Sequence, residues 1–420
     1  MKYLLLENTG SIRGGSIALP GSKSISNRLL MMQILAENDF RIENLSCAAD
    51  TCIMKQALQD IRHGKLVIDA GEAGTAARFL TAYLAWLGQK HILTGAPRLQ
   101  ERPMAPLVEA LRKLGARINY LNKEGFLPIE FQGGKLHSAS LKVPAGFSSQ
   151  FFSALLMIAP LLPDGLTLVA EGEPVSLPYI DMTLELMRQG GIQISSKPKA
   201  WTVYPGKYIF PSIVKVEADW SAAAPWFVFA LWAAPVSIVL NGLNPQSLQG
   251  DSKILHFFNI EGFNSTFTQE GLKIESTPKC SLPAEIKFDF TQTPDLALSL
   301  ITAAAASVCK GTFSGLHNLA LKESDRFQVL IDELRSLKID VNPIGNHTLQ
   351  IEGKSISKIS RVLKTYNDHR IAMAFAPLVL LTGKICIENP GVVSKSYPDF
   401  WKHIADRGIK TSFYNEIPAF

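Results

Sequence analysis

One pattern recurs six times along this chain of 420 residues. A helical segment apolar on almost every side leads into a short strand. It alternates with an amphipathic helix that ends at a glycine or polar residue and runs into another strand. The apolar segments begin at Ser26 (SNRLLMMQILAEN), Ala76 (AARFLTAYLAWLG), Ser148 (SSQFFSALLMIAPLL), Ser221 (SAAAPWFVFALWAA), Pro294 (PDLALSLITAAAASV) and His369 (HRIAMAFAPLVLL). The amphipathic ones begin at Ala49, where the copy is weak, and at Leu107, Thr183, Ser252, Leu330 and Asp399. Apolar residues at helical spacing, with a break where a C-cap belongs, mark both kinds as helices. A helix apolar all round must be buried all round. The pattern predicts two globular halves, each with three buried helices inside a shell of strands and amphipathic helices. The repeat of about 70 residues, shorter in its first copy, is the size of one supersecondary unit. Chance likeness among the helices of an ordinary α/β protein is the plainer reading, and six alternating pairs weigh against it.

Length agrees, since 420 residues suggest two or three domains. With 47% hydrophobic and 19% charged residues, the chain has the profile of a globular protein with large cores. A net charge of +5 is too mild to argue for nucleic acid. It reflects a slightly basic surface, or cations concentrated in a site for acidic small molecules. Cys47, Cys52, Cys280, Cys309 and Cys386 form no CxxC pair and read as buried thiols in a reducing compartment. The eight histidines sit singly, with no HExxH and no His/Cys cluster, so no metal site is expected. The start, MKYLLLENTG, is too short and too soon polar for a signal peptide. Residues 221–240 are uncharged over a membrane-spanning length. Pro225 and Pro235 punctuate them, however, and the repeat divides them into a buried helix and a strand.

The residues before each apolar helix carry the chemistry. The first copy reads Pro20-Gly21-Ser22-Lys23-Ser24-Ile25-Ser26-Asn27-Arg28. It sets a glycine, hydroxyls and two cations at a helix start, where free N–H groups and the positive dipole end suit an anion. A plain N-cap with exposed basic residues would look the same, and the Walker A spacing is absent. In the second copy, Gly71-Glu72-Ala73-Gly74-Thr75-Ala76-Ala77-Arg78, Gly74 lets a ligand approach the backbone. The third opens with Ser148, Ser149 and Gln150, the fifth sets Asp295 after Pro294, and the sixth opens Asp368-His369-Arg370. Each alone is ordinary capping chemistry. Parallel helices aiming such ends at one region would make a focused, mostly positive cavity. Two loops add charge: Arg98-Leu99-Gln100-Glu101-Arg102-Pro103, and Lys322-Glu323-Ser324-Asp325-Arg326 with Asn318 ahead of it.

These segments resemble a known family. PGSKSISNR, AGTAARFL, LTGAPRLQERP, SSQFFSALLM, VSLPYIDMTLELM, TPDLALSLITAAA, HNLALKESDR, YNDHRIAMAFAPL and SKSYPDFW run in order from Pro20 to Trp401. They are similar to segments of the 3-phosphoshikimate 1-carboxyvinyltransferases, or EPSP synthases. The resemblance implies the α/β enolpyruvyl transferase fold: two domains, each of three βαβαββ units with buried parallel helices, an inside-out α/β barrel. It implies a discontinuous domain, residues 1–19 and 219–420, carrying Asp295, Lys322, Arg370 and Lys395. The inserted domain, residues 20–218, would carry Lys23, Arg102, Ser148, Ser149 and Gln150.

The implied reaction joins the enolpyruvyl group of phosphoenolpyruvate to the 5-hydroxyl of shikimate 3-phosphate and releases phosphate. It proceeds by addition and elimination through a tetrahedral intermediate, on the route to chorismate and the aromatic amino acids. The resemblance implies no metal or organic cofactor, no nucleic-acid or membrane partner, and a cytoplasmic monomer. Implied shikimate 3-phosphate ligands are Lys23, Ser24, Arg28, Ser148, Ser149, Gln150, Ser176, Tyr179, Asp295, Asn318 and Lys322. Those for phosphoenolpyruvate are Lys23, Gly74, Arg102, Gln150, Arg326, Arg370 and Lys395. Asp295 is the candidate base for the hydroxyl and Glu323 the candidate for the C3 proton. Lys23 and the arginines would stabilise charge on the leaving phosphate.

Two departures stand out. Glu72 occupies a position where the family usually has asparagine, and it would repel an anion unless an arginine pairs with it. Residues 61–71 form a shorter segment than usual, so the first unit is expected to lack one hairpin. The sister enzymes acting on UDP-N-acetylglucosamine carry a reactive cysteine where this chain has Ala96 to Arg102, which contains none. A non-catalytic anion-binding relative is the remaining rival, and the presence of both Asp295 and Glu323 speaks against it.

Overall fold

All six apolar segments are buried helices. The computed structural model describes residues 2–10, 12–146, 148–359 and 361–418. The chain divides into two compact units, Ser22–Val216 and the pair Met1–Gly21 with Glu217–Phe420. In the first, helices Lys23–Leu35, Gly74–Leu87 and Ser149–Ile158 pack on one another. In the second, Trp220–Trp232, Ala297–Ala305 and His369–Phe375 do the same. Every residue from Trp220 to Leu231 is buried, as is all of Ala297–Ala305. Burying one Leu or Phe side chain contributes roughly 1.5–3 kcal/mol, so these helices dominate the stability of each unit.

The sheets follow one rule. Among the described residues each unit has three, and five of the six have four strands. Each of the five joins a parallel pair to two further antiparallel strands. Val67–Asp69, for example, runs parallel to Lys90–Thr94, which pairs antiparallel with Ile129–Gln132, and that strand with Ile118–Tyr120. The sixth stops at its parallel pair, Arg41–Glu43 with Ile213–Lys215. It belongs to the first repeat, where the segment 61–71 is short.

The chain passes between the units after Gly21 and after Val216. Gly21 bridges Ala218 in antiparallel fashion, and the Asp219 N–H donates to the Pro20 carbonyl at 2.9 Å. The two passages of chain are thus bonded to each other within one unit.

Several local expectations change. The amphipathic helix expected from Ser252 shrinks to a 3-10 turn, Gly250–Lys253, and one helical turn, Ile254–Phe257. Gly262, at φ 76°, then turns the chain into the strand Phe263–Thr268. The helix from His369 changes to a 3-10 turn at Ala376–Leu378, where Pro377 removes a helical donor. Pro225 breaks nothing: it costs one helical bond near the N-terminus, and packing carries the helix to Trp232. The strand Val236–Asn241 follows, and no helix among the described residues is long and apolar enough to cross a membrane. Of the cysteines only Cys309 and Cys386 are buried, Cys280 is intermediate, and Cys47 and Cys52 are exposed. The last two flank the start of an amphipathic helix with one face in solvent, which apolar flanking residues do not reveal.

Candidate active site

In the Ser22–Val216 unit, the predicted residues gather at helix starts. The Ser22 hydroxyl caps Lys23–Leu35, accepting from the Ile25 N–H at 3.4 Å. The Lys23 ammonium lies 2.9 Å from Asp50, on the helix Ala49–Arg62. Ser24 is half-buried, and its carbonyl accepts from Arg28 at 2.9 Å.

Arg28 is 1% exposed. Its other bonds go to the Thr183 hydroxyl (2.7 Å), the Ser153 hydroxyl (3.1 Å) and the Tyr179 carbonyl (3.1 Å). Its guanidinium carbon lies 5.4 Å from the Phe79 ring centre and 6.0 Å from that of Tyr179. All of these partners are neutral. Burial lowers its pKa to about 10, so the group still carries its charge at neutral pH. A buried cation held only by neutral dipoles is costly until an anion arrives.

Helix Gly74–Leu87 starts without a side-chain cap, leaving its first N–H groups to other partners. The Arg78 guanidinium donates to the Gly74 carbonyl at 3.0 Å. A Cβ added at Gly74 would run into the guanidinium groups of both Arg102 and Arg78. Two arginines and a helix start therefore converge at Gly74, where a Cβ would push the guanidinium groups aside. In the third copy, Ser148 caps Ser149–Ile158 through the Gln150 N–H at 3.2 Å. The Gln150 amide reaches the Thr75 hydroxyl at 2.9 Å, tying the third start to the second. Ser149 is buried. Ser176 is buried too and takes a left-handed φ of 56°, ahead of the helix Leu177–Gln189. Glu72 is exposed.

In the other unit, the cations are held by carboxylates. Arg326 is nine-tenths or more buried and meets three: Asp368 at 2.8 Å, Glu323 at 2.6 Å and Asp295 at 3.2 Å. Burial alone would weaken its charge, but Asp368, Glu323 and Asp295 hold its pKa above the ordinary arginine value. Arg370 donates to Asp295 at 2.7 Å and to the Ser221 hydroxyl at 3.1 Å. Lys322 stands 3.7 Å from Asp295. Burial works against the Asp295 charge, yet Arg370, Lys322 and Arg326 hold its carboxyl well below the usual range. Asp295 sits on the 3-10 turn Pro294–Leu296, which leads directly into the helix Ala297–Ala305.

Asn318 is buried just before the 3-10 turn Leu319–Leu321. The Lys395 ammonium donates to the Asn367 carbonyl at 2.8 Å. That carbonyl belongs to a turn with Tyr366 and Asn367 at positive φ, 52° and 55°, leading into Asp368. Among the described residues no three His, Cys, Asp or Glu side chains are arranged to hold a metal ion.

Sequence reasoning missed the groups that orient these side chains. Asp50 holds Lys23, while Thr183 and Ser153 hold Arg28. Asp368 forks onto Arg326 through both oxygens. Ser153 and Thr183 left a signal, since each is a hydroxyl inside a mostly apolar helical stretch. Asp368 was visible only as a cap, which it also is, accepting from the Arg370 N–H at 3.0 Å.

The family model described as EPSP synthase (3-phosphoshikimate 1-carboxyvinyltransferase) matches residues 8–66 and 50–404. A 3-phosphoshikimate 1-carboxyvinyltransferase of Bacteroides fragilis (strain YCH46) is 40% identical over 411 residues, 97% of this chain and 98% of that one. The one from Tolumonas auensis is 33% identical over 430 residues, 96% and 99% of the two chains. A solved EPSP synthase from Acinetobacter baumannii superposes with a TM-score of 0.81 at 23% identity, covering 99% of this chain and all of that one, which shows the shared fold. By the length and strength of these matches, the chain belongs to the EPSP synthase (3-phosphoshikimate 1-carboxyvinyltransferase) family.

Proposed function

We infer that this chain transfers the enolpyruvyl group of phosphoenolpyruvate to the 5-hydroxyl of shikimate 3-phosphate and releases phosphate. The full-length match to enzymes of that name, 40% identical in one case, carries this reading. The site chemistry supports it, because both units hold buried arginines, side chains suited to phosphate and carboxylate groups.

The roles are those that the family resemblance implies. In the Ser22–Val216 unit, Lys23, Ser24, Arg28, Ser148, Ser149, Gln150, Ser176 and Tyr179 serve shikimate 3-phosphate. Four bonds already occupy Arg28, so it acts mainly through its charge. Lys23, Gly74, Arg102 and Gln150 serve phosphoenolpyruvate, with the Arg78 charge beside them. In the other unit, Asp295, Asn318 and Lys322 serve shikimate 3-phosphate, and Arg326, Arg370 and Lys395 serve phosphoenolpyruvate.

Chemically, the 5-hydroxyl oxygen attacks C2 of phosphoenolpyruvate and passes its proton to Asp295. Glu323 delivers a proton to C3, giving the tetrahedral intermediate. C3 then returns that proton as the C2–O bond to phosphate breaks, and Lys23 and the arginines stabilise the departing charge. Asp295 is a weak base while three cations hold it. Anionic substrates that engage those cations raise its proton affinity, which couples base strength to substrate binding. The same reading makes the protein a cytoplasmic monomer.

Phosphate release tests the assignment. Release with phosphoenolpyruvate and shikimate 3-phosphate is expected, and none with UDP-N-acetylglucosamine. The reverse pattern would transfer the chain to the sister activity, and release with neither would leave an anion-binding protein.

A further inference from the structure

Arg370 meets one carboxylate directly and a second through a hydroxyl. Asp295 takes one of its N–H groups, and the Ser221 hydroxyl takes another. That hydroxyl in turn donates to Asp219 at 2.5 Å. Asp219 also accepts from the Ser221 and Ala222 N–H groups, so its charge is well met. A third carboxyl, Asp251, lies on the 3-10 turn Gly250–Lys253, which packs against the helix Trp220–Trp232. It is 4% exposed, and its Oδ1 meets no hydrogen-bond partner among the described residues.

The charged groups acting on Asp251 are Asp295, Arg370, Asp219 and Lys322. The helix Trp220–Trp232 has no titratable side chain of its own beyond its cap Asp219. Lys253 and His256, on the segment of Asp251 itself, are exposed. The two cations that act on Asp251, Arg370 and Lys322, are both already paired with Asp295. An ionised carboxylate buried with one oxygen unmet is strongly disfavoured. The surplus proton belongs on Asp251.

We propose that Asp251 is the proton-holding group of this cluster, so that an anion engaging Arg370 and Lys322 is bound together with one proton taken from solvent onto Asp251. The electrostatic surroundings agree. Burial first, then Asp295 and Asp219, push the Asp251 pKa up to about 7, while Arg370 and Lys322 pull it down. An anion that neutralises those two cations removes the downward pull, and the pKa rises further. The sign is fixed by linkage. Above about pH 7 the free site has lost the proton that the occupied site retains, so anion affinity falls as pH rises, by up to about tenfold per pH unit. Asp251 is therefore a positioning residue: uncharged, it does not compete with substrate for Arg370 as Asp295 does.

This inference rests on the reading that substrate anions reach Arg370 and Lys322. It is tested by calorimetry on the full chain at pH 8. Shikimate 3-phosphate is titrated first, then inorganic phosphate as a non-reacting anion, in two buffers of different ionisation enthalpy. Wild type should take up close to one proton per site. Asp251→Asn should bind both ligands with that uptake largely gone and with a flatter pH profile between pH 7 and 9. Ionisation of the ligands' own phosphates is common to both proteins and cancels in the comparison. Equal uptake in the variant, or binding by wild type without uptake, overturns the proposal alone. No binding heat in wild type overturns the reading of the site and the proposal with it. Should Asp251→Asn fail to fold, the infrared difference spectrum of wild type decides. A new protonated-carboxyl band on adding phosphate supports the proposal, and its absence sinks it.

Discussion

Arg28 and Arg326 are both almost wholly buried, one in each unit, and their surroundings are opposite. Arg28 is bonded to two hydroxyls and two carbonyls. Arg326 is bonded to three carboxylates. The first keeps its full charge for an incoming anion and costs the free protein desolvation. The second has its charge already met, so an anion there must compete with carboxylates or change their protonation. On the proposed function, Arg28 would meet an anion with its charge unopposed. Arg326 sits in a charge-balanced cluster whose acid–base state depends on what is bound, as proton transfer requires.

The contrast can be broken most severely at Arg326. Arg326→Met leaves Asp368, fully buried, without its main partner. Stability should fall by about 3–5 kcal/mol, read by denaturant unfolding, and turnover should vanish. Arg28→Met leaves no carboxylate stranded, so its cost should stay below about 2 kcal/mol, from lost hydrogen bonds. Similar costs for the two would show that the carboxylates around Arg326 do not depend on its charge.

Catalysis is the next test. Asp295→Asn should keep the fold and shikimate 3-phosphate binding while lowering kcat about a hundredfold or more. Glu323→Gln should also lower kcat and, in addition, slow exchange of the C3 hydrogens of phosphoenolpyruvate with deuterated solvent, followed by NMR. A near-normal kcat in Asp295→Asn would move the hydroxyl proton to another acceptor, Lys23 first.

Binding separates the units more gently. Arg28→Met should weaken shikimate 3-phosphate by about tenfold, near 1.4 kcal/mol. Because burial brings the Arg28 pKa down only to about 10, its contribution should be constant from pH 7 to 9 and decline as pH rises through about 10. A steep decline near pH 7 that disappears in Arg28→Met would contradict this. The smallest effect is expected at Glu72. Its side chain is exposed, where water and salt screen its charge. Glu72→Asn should change the phosphoenolpyruvate KM only a few-fold, and a tenfold fall would mean that the carboxylate repels substrate directly.

The amino-acid sequence alone determined the repeat. Helices apolar on every side, such as Trp220–Trp232 and Ala297–Ala305, have no stable place but an interior. Six of them at regular intervals, with amphipathic helices between, left little freedom in the architecture. The helix starts were legible for the same reason, because capping and anion binding are local properties of a helix end. The sequence overstated what was local elsewhere: it drew a full helix from Ser252 and buried Cys47 and Cys52. Only the tertiary structure decided which counter-groups meet each cation. Arg28 reaches Thr183, 155 positions away, and Arg326 reaches Asp368, 42 positions away. Packing alone brings such pairs together. A pKa depends on every charge within a few ångströms, and chain order does not record those distances. Asp251, an ordinary Gly-Asp turn in sequence, becomes a proton carrier only because folding buries it among Asp219, Asp295, Arg370 and Lys322.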